Sequence, residues 1–424
     1  MGTMICLALG KLEVDWGKNN FFSDHGALFQ PSDLKQIPTY DEDEDEEDPE
    51  GEPLVLMDQG FGKPLRHVRD RLELMGYTLR AVEHHYERLH RMHGMSDKPI
   101  PFTTLRRALA KVDVTKVSGN YSEDYDPGEF VRKEILKRLA LASERHHYYQ
   151  TGSRPDHWEI DLLLENFGAN GALRLLAENP ANLDLDVTWD FGPLVDAGWA
   201  EREEFQPGPT PEQRFLIVTE GSSDAKILQK ALQLLRPHIA DFFRFVDMEE
   251  GYPFAGTGNL YRFTQGLAGI GILNNTVLLY DNDAEGVAKW RDTQKLTLPP
   301  NMRPMKLPDL KALKQVMTVG PSGRKRANIN QRAAAIECYL DLTRPGLPEP
   351  VVRWGPFNKA SETYHGELEH KTQYMKHFLD LRAADPAYDV SKIEAVLDAM
   401  VAECVAIAEH NFIDSRASRS EPWK

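Results

Sequence analysis

The sequence predicts a mixed α/β protein. An alternating strand–helix unit occupies the second half, preceded by a largely helical region with a short β-hairpin and followed by a helical extension. Three observations carry this reading. From residue 214 onward, apolar strands (RFLIVTE at 214–220, FFRFV at 242–246, NTVLLYDND at 275–283) alternate with helical patterns at 223–236, 258–270 and 285–293. That is the pattern of a parallel sheet covered on both faces. Upstream, Val68, Leu72, Met75, Leu79, Val82, Tyr86 and Leu89 recur at alternating spacings of four and three, the mark of one buried helix face. Between the two regions FQPGPTPEQ (205–213) carries three prolines and a glycine, a domain boundary.

Taken in order, ICLAL and KLEVDW are separated by Gly10-Lys11 and read as a hairpin. The apolar opening has no basic flank, so it is a strand rather than a signal peptide, and Cys6 stands where a myristoylation signal needs Ser or Thr. Gly76 interrupts the 68–89 pattern and Thr78 can cap a new helix, leaving one kinked helix or two. Residues 127–150 predict a helix with Pro127 in its first turn, and 156–200 predict further short helices. Helices at about 362–381 and 390–411 close the chain, the second with Ile393, Leu397, Met400, Cys404 and Ile407 on one side. The organisation expected is 1–95, a helical 96–205, an α/β core at 212–310, and 311–424 as its extension.

At 424 residues the chain is long enough for about three domains. Its three cysteines, Cys6, Cys338 and Cys404, are widely spaced and can build neither a disulfide framework nor a cysteine-rich zinc site. No apolar run approaches the roughly 20 residues of a membrane span. A soluble cytoplasmic protein without a membrane partner is expected. The net charge of −16 is misleading, because DEDEDEEDPEGE (41–52) supplies ten acids, without which the chain carries −6. Such a block repels itself and reads as a solvated loop. By contrast 301–332 holds eight basic residues, Arg303, Lys306, Lys311, Lys314, Arg324, Lys325, Arg326 and Arg332, against the single acid Asp309. That segment is what a phosphate backbone would meet, with Arg324, Lys325 and Arg326 on a mobile loop set by Gly320, Pro321 and Gly323.

Acids follow directly on two of the apolar strands. Glu220 ends FLIVTE ahead of Gly221 and Asp224, while Asp281 and Asp283 close VLLYDND ahead of Glu285 and Gly286. Residues two apart in an extended segment face one way, so both aspartates can meet one ligand. Ligands of open α/β sheets collect beyond the carboxyl ends of the strands, where Glu220 can join them. Converging carboxylates repel unless a divalent cation neutralises them, and an all-oxygen set favours Mg²⁺ or Mn²⁺ over zinc. The plainer alternative makes these acids helix caps and turn formers.

VTEGSSDAKIL, followed some sixty residues later by LLYDNDAEG, resembles the Toprim domain of topoisomerases, primases and nucleases. The resemblance implies that Glu220 and the pair Asp281/Asp283 are the metal-binding catalytic set. Asp224 is similar to an acid of the OLD-family nucleases, whose further acid and lysine would be Glu337, in the helical stretch AAAIECYL, and Lys371, in GELEHKTQYM. LGKLEVDWGKNNFFSDHGALFQPSD with RLELMGYTL resembles the N-terminal domain that accompanies HEPN or Toprim domains in bacterial defence proteins. The two resemblances cover about half the chain. They imply a Mg²⁺- or Mn²⁺-dependent nuclease acting on DNA or RNA, tRNA included, as the effector of an antiphage system. Its control would come from a homo-oligomer or a complex with a separate sensor such as an ATPase, since no GxxxxGK[ST] nucleotide motif occurs. Two alternatives stay open. Arg80–His85 and Arg88–His93 each fit the Arg-x4–6-His motif of metal-independent HEPN ribonucleases. Otherwise the domain only binds nucleic acid or assembles.

Overall fold

The computed structural model describes residues 2–40, 55–92, 100–123, 126–139, 164, 167–246, 256–321, 323–358, 363–383 and 385–418. The acidic run at 41–52, His93 and the part after 139 of the helix expected over 127–150 lie outside the described residues. The chain divides into two units, Met1–Thr210 with Phe412–Lys424, and Pro211–Asn411.

In the first unit the hairpin forms at Gly10, whose φ of +58° suits a residue without a side chain. Met4–Leu9 and Leu12–Lys18 pair antiparallel there. Met4–Leu9 then pairs on its other side with Asp186–Asp190, which pairs with Val55–Pro64, which pairs with Leu34–Tyr40. Gly119–Asn120 adds to the far edge and completes six strands. The first half of the chain is therefore organised on a sheet and is not mainly helical, which corrects the sequence expectation. The reason is distance along the chain: Leu7 pairs with Trp189, and no local turn announces such a partner. Val187 and Trp189 are buried while Asp186, Thr188 and Asp190 are half-buried, a period of two too short to stand out alone.

The 68–89 pattern resolves into two helices, Leu65–Leu74 and Leu79–Met92. Gly76 turns the chain at φ +92°, and Thr78 Oγ1 accepts the Ala81 N–H at 3.1 Å. Pro127 does not open the helix expected there but pairs with Ser122 in a two-residue strand, and the helix follows over 129–138, wide-wound at Val131–Leu136. Helices Phe102–Leu109 and Ala169–Leu176 bury Leu105, Leu109, Leu173 and Leu176 in the same core as Val68, Leu72, Val82 and Tyr86.

In the second unit four parallel strands lie in the order Phe243–Val246, Phe215–Thr219, Asn275–Tyr280, Met302–Lys306. Asn275–Tyr280 is buried at every position, as a central strand of a doubly covered sheet must be. Helices Ser222–Leu235, Thr257–Ile270 and Ala284–Thr293 connect the strands. A second four-stranded sheet follows, ordered Gly323–Ala327, Val316–Gly320, Val352–Asn358, Thr363–Leu368. The extension is thus only partly helical. Where a helix was expected from 362, the chain makes the strand Thr363–Leu368 and turns at His370 (φ +58°) into the helix Lys371–Leu379. Gly366 permits this, since a side chain there would collide with the Trp354 ring and Ala333. The last helix, Ser391–Ser418, buries Ile393, Leu397, Met400, Cys404 and Ile407. Among the described residues no helix is long and apolar enough to cross a membrane.

Candidate carboxylate site and basic surface

Register brings the first acids together. Thr219 lies opposite Leu279 on adjacent parallel strands, so Glu220 and Asp281 leave the sheet at neighbouring carboxyl ends. Glu220 Oε1 accepts the Asp281 N–H at 2.9 Å. Gly286 opens the helix behind them, and a Cβ there would lie 2.4 Å from the Asp281 carbonyl oxygen and 2.9 Å from Glu220 Oε1. Asp283 caps that helix, accepting the N–H groups of Glu285 (3.0 Å) and Gly286 (2.7 Å). Asp224 accepts the Gly221 N–H at 3.1 Å. The capping alternative is correct as far as it goes. It accounts for single hydrogen bonds and not for the company these groups keep.

Each carboxyl is held above its ordinary range by burial first, and for Glu220, Asp224 and Asp281 the neighbouring acids add to it. Asp281 is raised by burial and by Asp224, Glu220, Asp283 and Glu337. For Glu220, burial leads and Asp283, Asp224 and Glu285 add to it. Asp224 is pushed up to about 7 by burial and Glu337, against the pull of Lys371. Asp283 is raised by burial, with His365 opposing. Glu337 is buried in a short turn, Ile336–Tyr339, rather than the helix expected, and is also raised by burial. Lys371 is half-exposed and spends its ammonium on Glu367 at 2.7 Å. Its field still reaches Glu337 and Asp281. The five acids singled out in the sequence therefore feel one another, with a single lysine beside them.

Among the described residues, no three His, Cys, Asp or Glu side chains close into a metal cage. The mutual pKa effects act over longer range than coordination, and Glu220 Oε1 is turned onto a backbone N–H. The donor set of Glu220, Asp224, Asp281, Asp283 and Glu337 is all carboxylate and short of positive charge, the chemistry of an oxygen-ligand site for a hard cation, although the side chains do not converge on one point.

Two participants were not foreseen. Asn282, fully buried between the aspartates, accepts from Lys306 Nζ and the Gln331 N–H, both at 3.1 Å, and donates to the Tyr339 hydroxyl at 3.2 Å. His365 Nδ1 lies 3.7 Å from Asp283 Oδ2. Only the polar residue inside Asp-x-Asp hinted at the first. A lone histidine 82 positions downstream of Asp283 gave no signal of the second.

The basic segment does not act as one patch. Arg303 pairs with Glu403 at 2.5 Å, and Lys306 serves Asn282 and Asp309. Arg324, Lys325 and Arg326 stand on the strand Gly323–Ala327 rather than on a mobile loop. Arg332 is exposed and bridges Asp283 through its backbone. Of the HEPN-like pairs, His93 lies outside the described residues. His85 is buried, stacks on Phe167 and is lowered to about 4, by burial first and then by Arg416 and Arg88.

The family model described as HEPN/Toprim N-terminal domain 1 matches residues 1–213, half of the chain. The chain belongs to this family, which points to a nuclease-related or defence-related function. No curated protein and no solved structure matches it.

Proposed function

We propose that this chain is a metal-dependent nuclease of the Toprim class, acting on DNA or RNA as the effector of a bacterial antiphage system. One observation carries the reading: five carboxyls raised by burial, Glu220, Asp224 and Asp281 also by acidic neighbours, grouped around the carboxyl ends of two adjacent parallel strands. Burying like charges is costly, and such clusters concentrate where a ligand supplies the missing counter-charge. Asp281 and Asp283 would hold the cation, with Asp224 and Glu337 contributing further oxygens. A bound Mg²⁺ or Mn²⁺ supplies Lewis-acid polarisation of the phosphate and neutralises the cluster. Glu220 either joins the ligands or takes the proton of the attacking water. Lys371 faces the charge that gathers on the phosphoryl oxygens. Control through residues 1–213, by self-association or by a separate sensor such as an ATPase, is part of the same proposal.

The test is incubation of the purified chain with plasmid, linear DNA and tRNA, in Mg²⁺ and in EDTA. Cleavage should require the metal and disappear in Glu220→Ala and Asp281→Ala. Cleavage of RNA that survives EDTA and both substitutions, and is lost in His85→Ala or His93→Ala, would move the chemistry to the HEPN-like motif.

A further inference from the structure

Cross-strand register sorts the basic residues of the second unit onto two faces of its second sheet. Arg324 lies opposite Val319, Val319 opposite Arg353, and Arg353 opposite Glu367. Register partners project to the same side, so these four form one row. Arg326, two residues from Arg324 and opposite Met317, belongs to the same face. The other face carries Lys325, Thr318, Val352 and Leu368, of which the last three are buried. The arginine face is therefore the solvent face. Arg324 and Arg353 expose 57% and 62% of their side chains.

At its far edge this face carries His365, two residues from Glu367, with Nδ1 3.7 Å from Asp283 Oδ2. Three inter-strand gaps of about 4.8 Å make the row about 14 Å long. It thus runs from the edge strand Gly323–Ala327 to the border of the carboxylate cluster. We propose that the solvent face of this sheet, through Arg324, Arg326 and Arg353, binds the phosphate backbone of a nucleic-acid strand and leads it to the carboxylates. This assignment rests on the nuclease reading for its destination. It does not rest on it for the binding.

The same geometry excludes other members of the basic segment. Arg303 stands on Met302–Lys306, the edge strand of the other, parallel sheet, Lys306 is used internally, and Lys325 projects from the opposite face. The row is not idle in the free protein: Arg324 pairs with Glu349, Arg353 with Glu369, and Arg326 donates to the Gln315 carbonyl at 2.8 Å. Both ion pairs lie near the surface, where screening makes them weak and easily exchanged for a phosphate. Backbone contacts of this kind are blind to sequence, so DNA and RNA, single or paired, share the chemistry.

The experiment measures binding of the full chain to fluorescent single-stranded DNA, duplex DNA and RNA oligonucleotides in EDTA, over a salt series. Arg324→Ala/Arg326→Ala/Arg353→Ala should weaken binding to the preferred oligonucleotide uniformly across sequences. It should also flatten the log–log salt slope by about two to three, at roughly 0.7–0.9 for each lost contact. Arg303→Ala and Lys325→Ala should leave the slope unchanged. Glu349→Gln/Glu369→Gln, which frees two of the arginines, should tighten binding severalfold, a gain that misfolding cannot mimic. An unmoved slope in the triple variant, an equal loss in the two controls, or no tightening in the Gln variant overturns the assignment. Metal-independent cleavage with the slope changes intact would instead overturn the nuclease reading and leave this surface standing.

Discussion

In the first unit Arg71 is fully buried, and its guanidinium donates to the carbonyls of Ala27 and Phe29 at 2.9 and 2.8 Å. Lys63, also buried, meets Asp33 at 2.6 Å and Gln30 at 2.9 Å, and Arg174 meets Glu73 and Glu178 at 2.8 Å each. In the second unit Asp224 and Glu337 are deeply buried too, yet among the described residues no cation pairs with either: Asp224 feels Glu337 and Asp283, Glu337 feels Glu367, and Lys371, which attracts both, is bonded to Glu367. The first arrangement is structural, because each charge meets groups of opposite polarity. The second leaves like charges together, a state that lowers stability unless something outside the chain joins it. Charge burial with a partner reads as architecture, and charge burial against like charge reads as a site.

The largest effect expected from this contrast is on chemistry. Asp281→Ala or Glu220→Ala should reduce metal-dependent cleavage by about 10²–10⁴-fold, while the melting temperature in EDTA stays level or rises. The opposite holds for the first unit. Arg71→Met leaves two carbonyls without their donors and should cost about 2–4 kcal/mol. Trp189→Ala, emptying a site packed by Phe61, Phe191 and Phe205, should cost about 3–5 kcal/mol. Cleavage per folded molecule should be unchanged in both. Paired denaturation and cleavage assays check all four variants. A large stability loss in Asp281→Ala would make the acids structural and end the distinction.

The contrast was unequally legible in the sequence. The parallel sheet was readable because FLIVT and NTVLLY are apolar at nearly every position, and the acids after them stood out against that background. Asp224, Asp281 and Asp283 could be singled out as candidates because motif spacing within one strand–turn–helix unit is local information. The six-stranded sheet was not readable, since Met4–Leu9 finds its partner at Asp186–Asp190. Strands this short reveal themselves by their neighbours rather than by periodicity. The arginine row was hidden for a related reason: eight cations clustered in sequence are divided by pleat and register, and Arg353 joins them from outside the segment. Composition saw the charge and could not see the face.

A pH dependence sharpens the comparison further. Asp224 is raised to about 7, with Glu337 and Asp283 as its repelling neighbours and Lys371 as its attractive one. A carboxyl whose folded-state pKa exceeds its unfolded value binds its proton more tightly in the folded chain. Its contribution to stability is complete below about pH 4 and is lost as pH rises through about 7. The melting temperature in EDTA should therefore fall from pH 5.5 to pH 8. Mg²⁺ should recover more of it at pH 8 than at pH 5.5, because deprotonated ligands bind and protonated ones do not. Equal Mg²⁺ stabilisation at both values would argue against the carboxylates as ligands. Asp224→Asn should remove part of the slope without metal and part of the recovery with it.

The smallest effect compares two helix caps in different surroundings. Thr78 Oγ1 accepts the Ala81 N–H at the start of Leu79–Met92, and Thr78→Ala should cost about 1 kcal/mol, the usual value of a lost cap. Asp283 caps Ala284–Thr293 with two N–H contacts, so on local grounds its loss should cost as much or more. It also stands among Glu220, Asp281 and Glu285, and removing it relieves that repulsion. Asp283→Ala should therefore cost less than Thr78→Ala in EDTA. Asp283→Asn, which keeps an oxygen for the cap and discards the charge, should cost nothing or stabilise. Chemical denaturation at pH 8 ranks the three. If Asp283→Asn costs as much as Thr78→Ala, the carboxylate is an ordinary cap content with its place, and the repulsion that sets the second unit apart from the first is not there.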